Sequence, residues 1–356
     1  MEQNKSIRLH YFDMLKGVAI FMVVIGHVLT MCIREIDNAV LFKFVEKIHM
    51  PVFFFISGYF TYKVIKDGKL AIPDVKARAK QLLIPFFAVS TLWIYYFPHS
   101  GLQSPFDSTW EGLYFSTGKN GYWFTLCLFE IILLYCALIS VLERCKSVAA
   151  KFAVVVAVWI VLGLLTKFVF TEKINSLIGV PLLFEFFPVF MFGIMARSVK
   201  ETFDNVTSDS KWITIAIVAG SFLMYYVCWS WEFSLPVECV DIARQLLYVC
   251  VVIVSISVAK SWSFRAFGTE NPRGSISGRV CEYIGRQSLA VYLLHYFFLF
   301  PLTVLREPLI EMNLGFVPTL IFASFFASII IAVTLGANYI ICHSKPLALL
   351  LTGKEK

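Results

Sequence analysis

Two ionisable residues, Lys16 and His27, lie eleven positions apart in the apolar stretch RLHYFDMLKGVAIFMVVIGH. On a helix they would differ by about 20° around the axis and by about 16 Å along it, so they share one face. An imidazole in apolar surroundings needs hydrogen-bond partners, and burial favours its neutral form, which can accept a proton. His27 is therefore a candidate general base, with a hydrogen-bonded core histidine as the alternative. Lys16 is either functional or a lysine that reaches back to the edge of the apolar layer.

A second histidine precedes a proline in the stretch HMPVFFFISGYF. Because proline is tolerated in the first turn of a helix, Pro51 predicts a helix start there. His49 is then expected at the entrance of this helix, at the same end of the bundle as His27. Gly58 in the same stretch allows a kink or a close approach between helices, and helix packing is the favoured interpretation.

Two further polar residues lie within apolar segments. His295 occurs in IGRQSLAVYLLHYFF, and Tyr292 lies three residues before it, near the same helical face. Glu130 ends the stretch GYWFTLCLFE, about 13 Å along a helix, where a carboxylate needs a partner or a proton. His295 is thus the third histidine, after His27 and His49, that we expect at one cavity in the membrane.

A basic cluster in KARAKQLLIP comprises Lys76, Arg78 and Lys80, directly before an apolar segment. Guanidinium and ammonium groups bind phosphates, so the cluster is a candidate anion site. Basic residues that only set the orientation of a membrane helix are the alternative.

The composition identifies the class of protein that must position these residues. Of 356 residues, 58% are hydrophobic and 15% charged, and the mean hydropathy is +0.75, which is typical of an integral membrane protein. Apolar stretches approaching the roughly 20 residues of a spanning helix predict an all-α polytopic membrane protein of about ten transmembrane helices. These stretches are 14–33, 50–66, 82–98, 121–142, 149–170, 177–196, 211–230, 237–259, 282–303 and 315–342.

The charge pattern predicts the orientation. With both termini cytoplasmic, most of the 31 Lys and Arg residues fall on the inner side, as the positive-inside rule requires. The net charge of +7 then needs no nucleic-acid partner. Nine scattered cysteines favour neither disulfides nor zinc, and no metal site is expected. The chain, 1–356, is expected to be one integral membrane domain.

Five ordered motifs together resemble membrane acyltransferase family 3, which includes bacterial O-acetyltransferases of cell-surface polysaccharides and lipid-linked glycans. They are RLHYFDMLKGVAIFMVVIGH, HMPVFFFISGYF, the basic segment that ends in LLIPFF, GYWF and IGRQSLAVYLLH, and they span residues 8 to about 298. Several motifs in order are far more specific than any one of them.

The resemblance implies an enzyme of the bacterial inner membrane, surrounded by membrane lipids, that moves an acyl group from cytoplasmic acyl-CoA to an outward-facing hydroxyl. Acetyl-CoA is the default donor and succinyl-CoA the alternative. The acceptor would be a cell-surface glycan or a lipid-linked sugar. The soluble C-terminal esterase-like domain of some members is not expected after residue 342.

The resemblance also assigns roles to residues. The family's basic residue, ten intervening residues and histidine match Lys16 and His27, which become the catalytic pair. Its motif of two arginines separated by two residues, associated with acyl-CoA, maps onto Arg78 and Gln81, so the second arginine is replaced. Lysine lacks the bidentate fork of arginine but supplies charge, so Lys76 and Lys80 join Arg78 as predicted acyl-CoA contacts. Arg8 is a further candidate for this anion site.

In the implied mechanism, His27 takes the proton of the acceptor hydroxyl, and Lys16, a tyrosine or a backbone amide stabilises the oxyanion. An acyl-enzyme on His27 remains an alternative. Asp13 would pair with Lys16 three positions away. Glu130 and His295 are further catalytic candidates. Residues predicted to contact the acceptor are His49, Trp123 and Tyr292, and an interfacial aromatic belt also explains the tryptophan.

Two other classes of protein fit parts of the sequence. A proton-coupled flippase or exporter also uses buried histidines and an intramembrane glutamate, although no inverted repeat is evident. A scaffolding protein has no need of three histidines at one side. Dependence on acyl-CoA distinguishes the enzyme from both, and whether the protein is a homo-oligomer stays open.

Overall fold

The computed structural model of the chain describes residues 10–33, 39–65, 69–102, 108–228, 236–267, 275–302 and 316–354. Within these ranges the chain is helical apart from its connections and one isolated bridge between Val64 and Leu70. The main helices are α1 (His10–His27), α2 (Ala39–Thr61), α3 (Val75–Tyr96), α4 (Trp110–Phe115), α5 (Trp123–Arg144), α6 (Val148–Leu164), α7 (Glu172–Ile178), α8 (Val180–Ser198), α9 (Lys200–Val206), α10 (Ser210–Cys228), α11 (Val237–Phe267), α12 (Ile276–Arg286), α13 (Ser288–Leu294), α14 (Phe316–Ile341) and α15 (Lys345–Thr352).

Eight helices in the described part of the chain are long and apolar enough to cross a membrane. They are α1 with its continuation to Cys32, α3, α5, α6, α8, α10, α11 and α14. The other two predicted segments correspond to α2 and to the α12–α13 region. The prediction of an all-α polytopic membrane protein is thereby confirmed.

The prediction that Pro51 starts a helix is wrong. Helix α2 begins at Ala39, so Pro51 lies inside it and His49 lies in its middle. Proline removes one backbone hydrogen bond, and contacts of α2 with α1, α8 and α11 hold the helix across that gap. Pro51 and His49 therefore lie within a continuous, packed helix and not at its N-terminal end.

The predicted helix 282–303 is interrupted. It consists of α12, a break at Gln287, α13 and a 3₁₀ turn over His295–Phe298. The Oε1 atom of Gln287 accepts hydrogen bonds from Asn338 Nδ2, at 3.2 Å, and from Lys354 Nζ. Polar side chains from α14 and from the residues that follow α15 thus support the break.

Helices α1 and α12 pack backbone to backbone through glycine. A Cβ atom at Gly285 would lie 1.7 Å from the Asp13 carbonyl oxygen, and one at Gly17 would lie 2.2 Å from that of Cys281. Gly58 similarly contacts Phe190 of α8, which confirms its packing role. Small residues permit such close approach in membrane bundles. The contact fixes the part of α1 that carries Lys16.

A charged cluster joins α2, α8 and α11. The Glu185 carboxylate lies 3.6 Å from Lys47 Nζ and 3.7 Å from Arg244 Nη1, and it accepts a hydrogen bond from the Tyr248 hydroxyl. Arg244 also pairs with Asp241. Because charges at membrane depth need partners, this cluster holds three helices in register.

We expect Gly285→Ala to destabilise the protein, because the added methyl group collides with the α1 backbone. Overpacking of this kind costs about 1–3 kcal/mol. Thermal unfolding in detergent would show a lower Tm. Gly336→Ala is the matched control, since a Cβ atom there meets nothing within 4 Å. Equal Tm values for the two variants would contradict the packing role of Gly285.

Candidate active site

A cavity of about 210 Å³ lies between α1, α2, α3, α5 and α13. We call it the central cavity. Its lining includes polar side chains at both ends and apolar side chains between them. The lining residues are Lys16, Ile20, Val23, Met50, Phe53, Ile56, Ser57, Phe60, Thr61, Arg78, Gln81, Leu82, Phe124, Leu128, Ile132, Ser288, Leu289 and Tyr292.

Cationic side chains mark one end of the central cavity, which we call the Lys16 end. Arg78 Nη1 donates a 2.9 Å hydrogen bond to Gln81 Oε1, so the glutamine orients the guanidinium. Lys16 Nζ lies 2.7 Å from Asp13 Oδ1, which confirms the predicted pair. This end therefore presents two cations whose positions are fixed by neighbouring polar groups.

The other predicted cations surround the first turn of α3. Asp74 caps this helix by accepting a 2.9 Å hydrogen bond from the Ala77 backbone N–H. Lys76 is exposed and Lys80 half-buried. The N-terminus of α3 adds its positive potential to that of these two lysines. Arg8 lies outside the described residues.

One face of α1 connects the Lys16 end to His27. Ile20 and Val23 line the central cavity together with Lys16, and His27 follows at the next position of the same i, i+4, i+7 pattern. Phe124 and Tyr292 line the cavity towards this second end, the His27 end. Three positions of the pattern, Lys16, Ile20 and Val23, thus line a real cavity, and His27 itself is not among its lining residues.

At the His27 end, two histidines and a tyrosine form a compact group. The Tyr296 hydroxyl lies 3.0 Å from His27 Nε2. The ring centroid of His295 lies 5.2 Å from that of His27 and 4.3 Å from that of Tyr296. His295 and Tyr296 are fully buried, and His27 is partly buried. We call these three residues the histidine centre.

His49 is close to this centre but faces a different space. Its Nδ1–H donates to the Val45 carbonyl oxygen at 2.7 Å, and His49 interacts electrostatically with His27. It lines a second cavity of about 200 Å³, with residues of α1 and α11. The structure therefore brings His49 near His27 without placing it in the lining of the central cavity.

Tyr292 holds the start of α5. Its hydroxyl donates to the Gly121 carbonyl oxygen at 2.9 Å and accepts from the Phe124 backbone N–H at 3.1 Å. Trp123, on the first turn of the same helix, stacks on Phe186 with ring centroids 5.4 Å apart. Tyr292 and Trp123, two of the three residues predicted to contact the acceptor, thus have protein partners of their own.

Glu130 lies beside a buried lysine. The Lys119 ammonium donates to the carbonyl oxygens of Tyr114 at 2.8 Å and Ser176 at 2.5 Å. Burial lowers the pKa of Lys119, and the charge of Glu130 opposes that shift. Glu130 Oε2 has no hydrogen-bond partner among the described residues, and no described contact joins Glu130 to His27.

The sequence analysis did not single out Tyr296 or Lys119. Tyr296 follows His295 directly, and neighbouring residues of an α-helix point about 100° apart, so helical periodicity gives no reason to place the pair at one site. In the structure both rings nevertheless lie close to that of His27, where α13 gives way to a 3₁₀ turn at His295. The sequence signal that could have identified Tyr296 was its position directly after His295, a candidate catalytic residue.

Comparison with known proteins identifies the class of this site. The family model described as "Acyltransferase domain", for acyltransferase family 3, matches residues 9–335. This chain belongs to that family. It is a multi-pass membrane protein with an acyltransferase domain.

Two curated relatives carry the name "Nodulation protein NolL". That of Mesorhizobium japonicum is 28% identical over 228 residues, which cover 62% of this chain and 56% of the relative. That of Sinorhizobium fredii is 44% identical over 80 residues, 21% of each chain. The matches thus span about half of the first relative and a fifth of the second. No solved structure matches the chain significantly.

We expect Tyr296→Phe to lower the acyltransferase rate by about two- to tenfold, because the change removes a hydrogen bond worth about 0.5–1.5 kcal/mol from His27. The measurement is the rate of acyl transfer by purified protein. Tyr122→Phe is the matched control, since the Tyr122 ring lies 5.1 Å from that of Tyr296 and its hydroxyl has no described hydrogen-bond partner. Equal activity of both variants and wild type would contradict a role for the Tyr296 hydroxyl.

Proposed function

We propose that this protein transfers an acyl group, acetyl by preference, from cytoplasmic acyl-CoA to a hydroxyl of an extracytoplasmic cell-envelope glycan. The observation that carries the proposal is the central cavity, which has Lys16 and Arg78 at one end and follows the face of α1 towards His27. Such a path suits a donor whose phosphates stay at one side while its thioester reaches the other.

The Lys16 end matches the chemistry of CoA phosphates. Arg78 and Lys16 supply charge inside the cavity, and Lys76 and Lys80 supply it at the start of α3. Gln81 replaces an arginine of the family motif and orients Arg78 by a hydrogen bond. The apolar middle, with Ile20 and Val23, accommodates the pantetheine arm.

The reaction takes place at the histidine centre. An imidazole removes the proton of the acceptor hydroxyl, and the hydroxyl oxygen attacks the thioester carbonyl. The Tyr296 hydroxyl, 3.0 Å from His27 Nε2, is a donor placed to stabilise the oxyanion. Transfer through an acyl-imidazole on His27 is the second route.

The charged cluster of α2, α8 and α11 favours acetyl over succinyl. A succinyl pocket needs a spare cation for the distal carboxylate. The basic residues expected near the outer site are Arg34, Lys43, Lys47 and Arg244. Lys47 and Arg244 are engaged with Glu185 and Asp241. Arg34 and the side chain of Lys43 lie outside the described part of the structure, and succinyl-CoA therefore remains the donor to compare.

The orientation and location follow from charge. We infer that both termini face the cytoplasm and that the protein lies in the bacterial cytoplasmic membrane, because its basic residues concentrate on one side of the predicted spans. The acceptor, a surface glycan or a lipid-linked sugar, then approaches the His27 end from outside. His49 and Trp123 are candidates for contact with it.

The decisive experiment uses purified protein in nanodiscs, with acetyl-CoA and succinyl-CoA as donors and crude envelope glycans as acceptors. We expect wild type to bind and consume acetyl-CoA. His27→Ala should bind it with similar Kd and lose about 10²–10⁴-fold in turnover. If neither donor binds, and His27→Ala leaves envelope acylation unchanged, the proposal fails and sugar transport becomes the function to test.

Donor binding has its own prediction. Arg78→Ala should raise the Kd for acetyl-CoA about 10- to 100-fold, because a hydrogen bond to a charged group is worth about 1.5–3 kcal/mol. Arg144→Ala is the matched control, since Arg144 is exposed at the end of α5 and outside the central cavity. Isothermal titration would measure both. An unchanged Kd for Arg78→Ala would remove this residue from the donor site.

A further inference from the structure

The backbone fixes the protonation pattern of His295. Its Nδ1 atom lies 2.9 Å from the Val291 carbonyl oxygen and 2.8 Å from that of Tyr292. Carbonyl oxygens only accept hydrogen bonds, so Nδ1 carries a proton and donates it to them. In the neutral imidazole Nε2 then holds a lone pair and acts as an acceptor.

Within the described part of the chain, that acceptor has no partner. His295 is 0% exposed, and no hydrogen-bond donor of the described residues reaches its Nε2 atom. A buried polar atom without a partner is unfavourable and is rare unless a ligand or water completes it. The missing partner must be a donor, and a hydroxyl group is one.

The position of His295 differs from that of His27. His27 continues the face of α1 that lines the central cavity, and its Nε2 atom is paired with the Tyr296 hydroxyl. His295 packs beside this pair, with its ring centroid 5.2 Å from that of His27 and 4.3 Å from that of Tyr296. A hydroxyl bonded to His295 Nε2 would thus lie beside His27, where the donor thioester arrives.

We propose that His295, and not His27, accepts the proton of the acceptor hydroxyl. This inference rests on the proposed function and assigns the proton transfer within it. His27, held by Tyr296, faces the donor carbonyl. The sequence analysis assigned the proton transfer to His27 because His27 occupies the histidine position of the family motif. Protonation of His295 at Nδ1 and its unpaired Nε2 atom point to His295 instead.

Acyl transfer then proceeds in two stages. The O–H bond of the acceptor breaks and its proton moves to His295 Nε2, while the hydroxyl oxygen forms a bond to the thioester carbon. The C–S bond then breaks, and the imidazolium of His295 returns the proton to the departing sulfur. The products are the ester and CoA with a free thiol.

The test is His295→Asn in nanodiscs, with acetyl-CoA and a hydroxyl acceptor. The asparagine N–H can replace the Nδ1–H donor to the helix backbone, but the variant has no Nε2 acceptor. We expect kcat for transfer to fall about 10²–10⁴-fold, while the Kd for acetyl-CoA and the Tm stay near wild type. Added imidazole should restore part of the transfer by His295→Ala.

His343→Asn is the matched control. His343 is exposed beyond the end of α14, and its Nδ1 makes the same type of bond, 2.9 Å to the Tyr339 carbonyl oxygen. Its activity should equal that of wild type.

Three results would overturn the assignment to His295. One is transfer by His295→Asn within threefold of wild type. Another is a loss of transfer accompanied by loss of donor binding and not rescued by imidazole, which indicates a structural role. The third is a wild type that neither binds nor consumes acyl-CoA, which refutes the proposed function and this step with it. In the first two results the wild-type protein still binds and consumes acyl-CoA, which distinguishes them from that failure.

Discussion

Hydrocarbon supplies no hydrogen-bond partners, so each polar side chain at membrane depth must find its partner within the protein. The structure depends on this constraint. Glu185 joins three helices because its charge requires cations from two of them. Gln287 interrupts a helix where α14 and α15 supply donors. The polar groups that lack such partners among the described residues are therefore the informative ones, and His295 Nε2 is one of them.

The connection before α5 shows how the same constraint shapes the site from outside the helices. Lys119, Asn120 and Gly121 have φ values of 47°, 54° and 92°, a conformation unfavourable for the first two residues. Bonds from the Lys119 ammonium to backbone carbonyls and from Tyr292 to Gly121 hold the turn in place. Local backbone strain is thus balanced by contacts that also position α5 against the histidine centre.

The sequence predicted most of what depends on composition and helical period, and less of what depends on distant partners. The spans and the shared face of Lys16 and His27 follow from hydrophobic length and the 3.6-residue repeat. The prediction of a helix start at Pro51 was wrong because packing of α2 against three helices compensates for the hydrogen bond that proline removes. The place of Tyr296 depends on a contact with His27, 269 positions away, and the role of Glu185 depends on residues of α2 and α11. Such contacts have no local signature.

Because Lys16 and His27 belong to one uninterrupted helix, the separation of the two ends of the central cavity is encoded as a count of residues. That helix acts as a molecular ruler. One inserted residue between them would turn His27 by about 100° away from the cavity wall, so the distance cannot be adjusted in small steps. Divergence of the protein towards donors of other lengths must therefore proceed through the side chains of neighbouring helices, since α1 can change length only by whole turns.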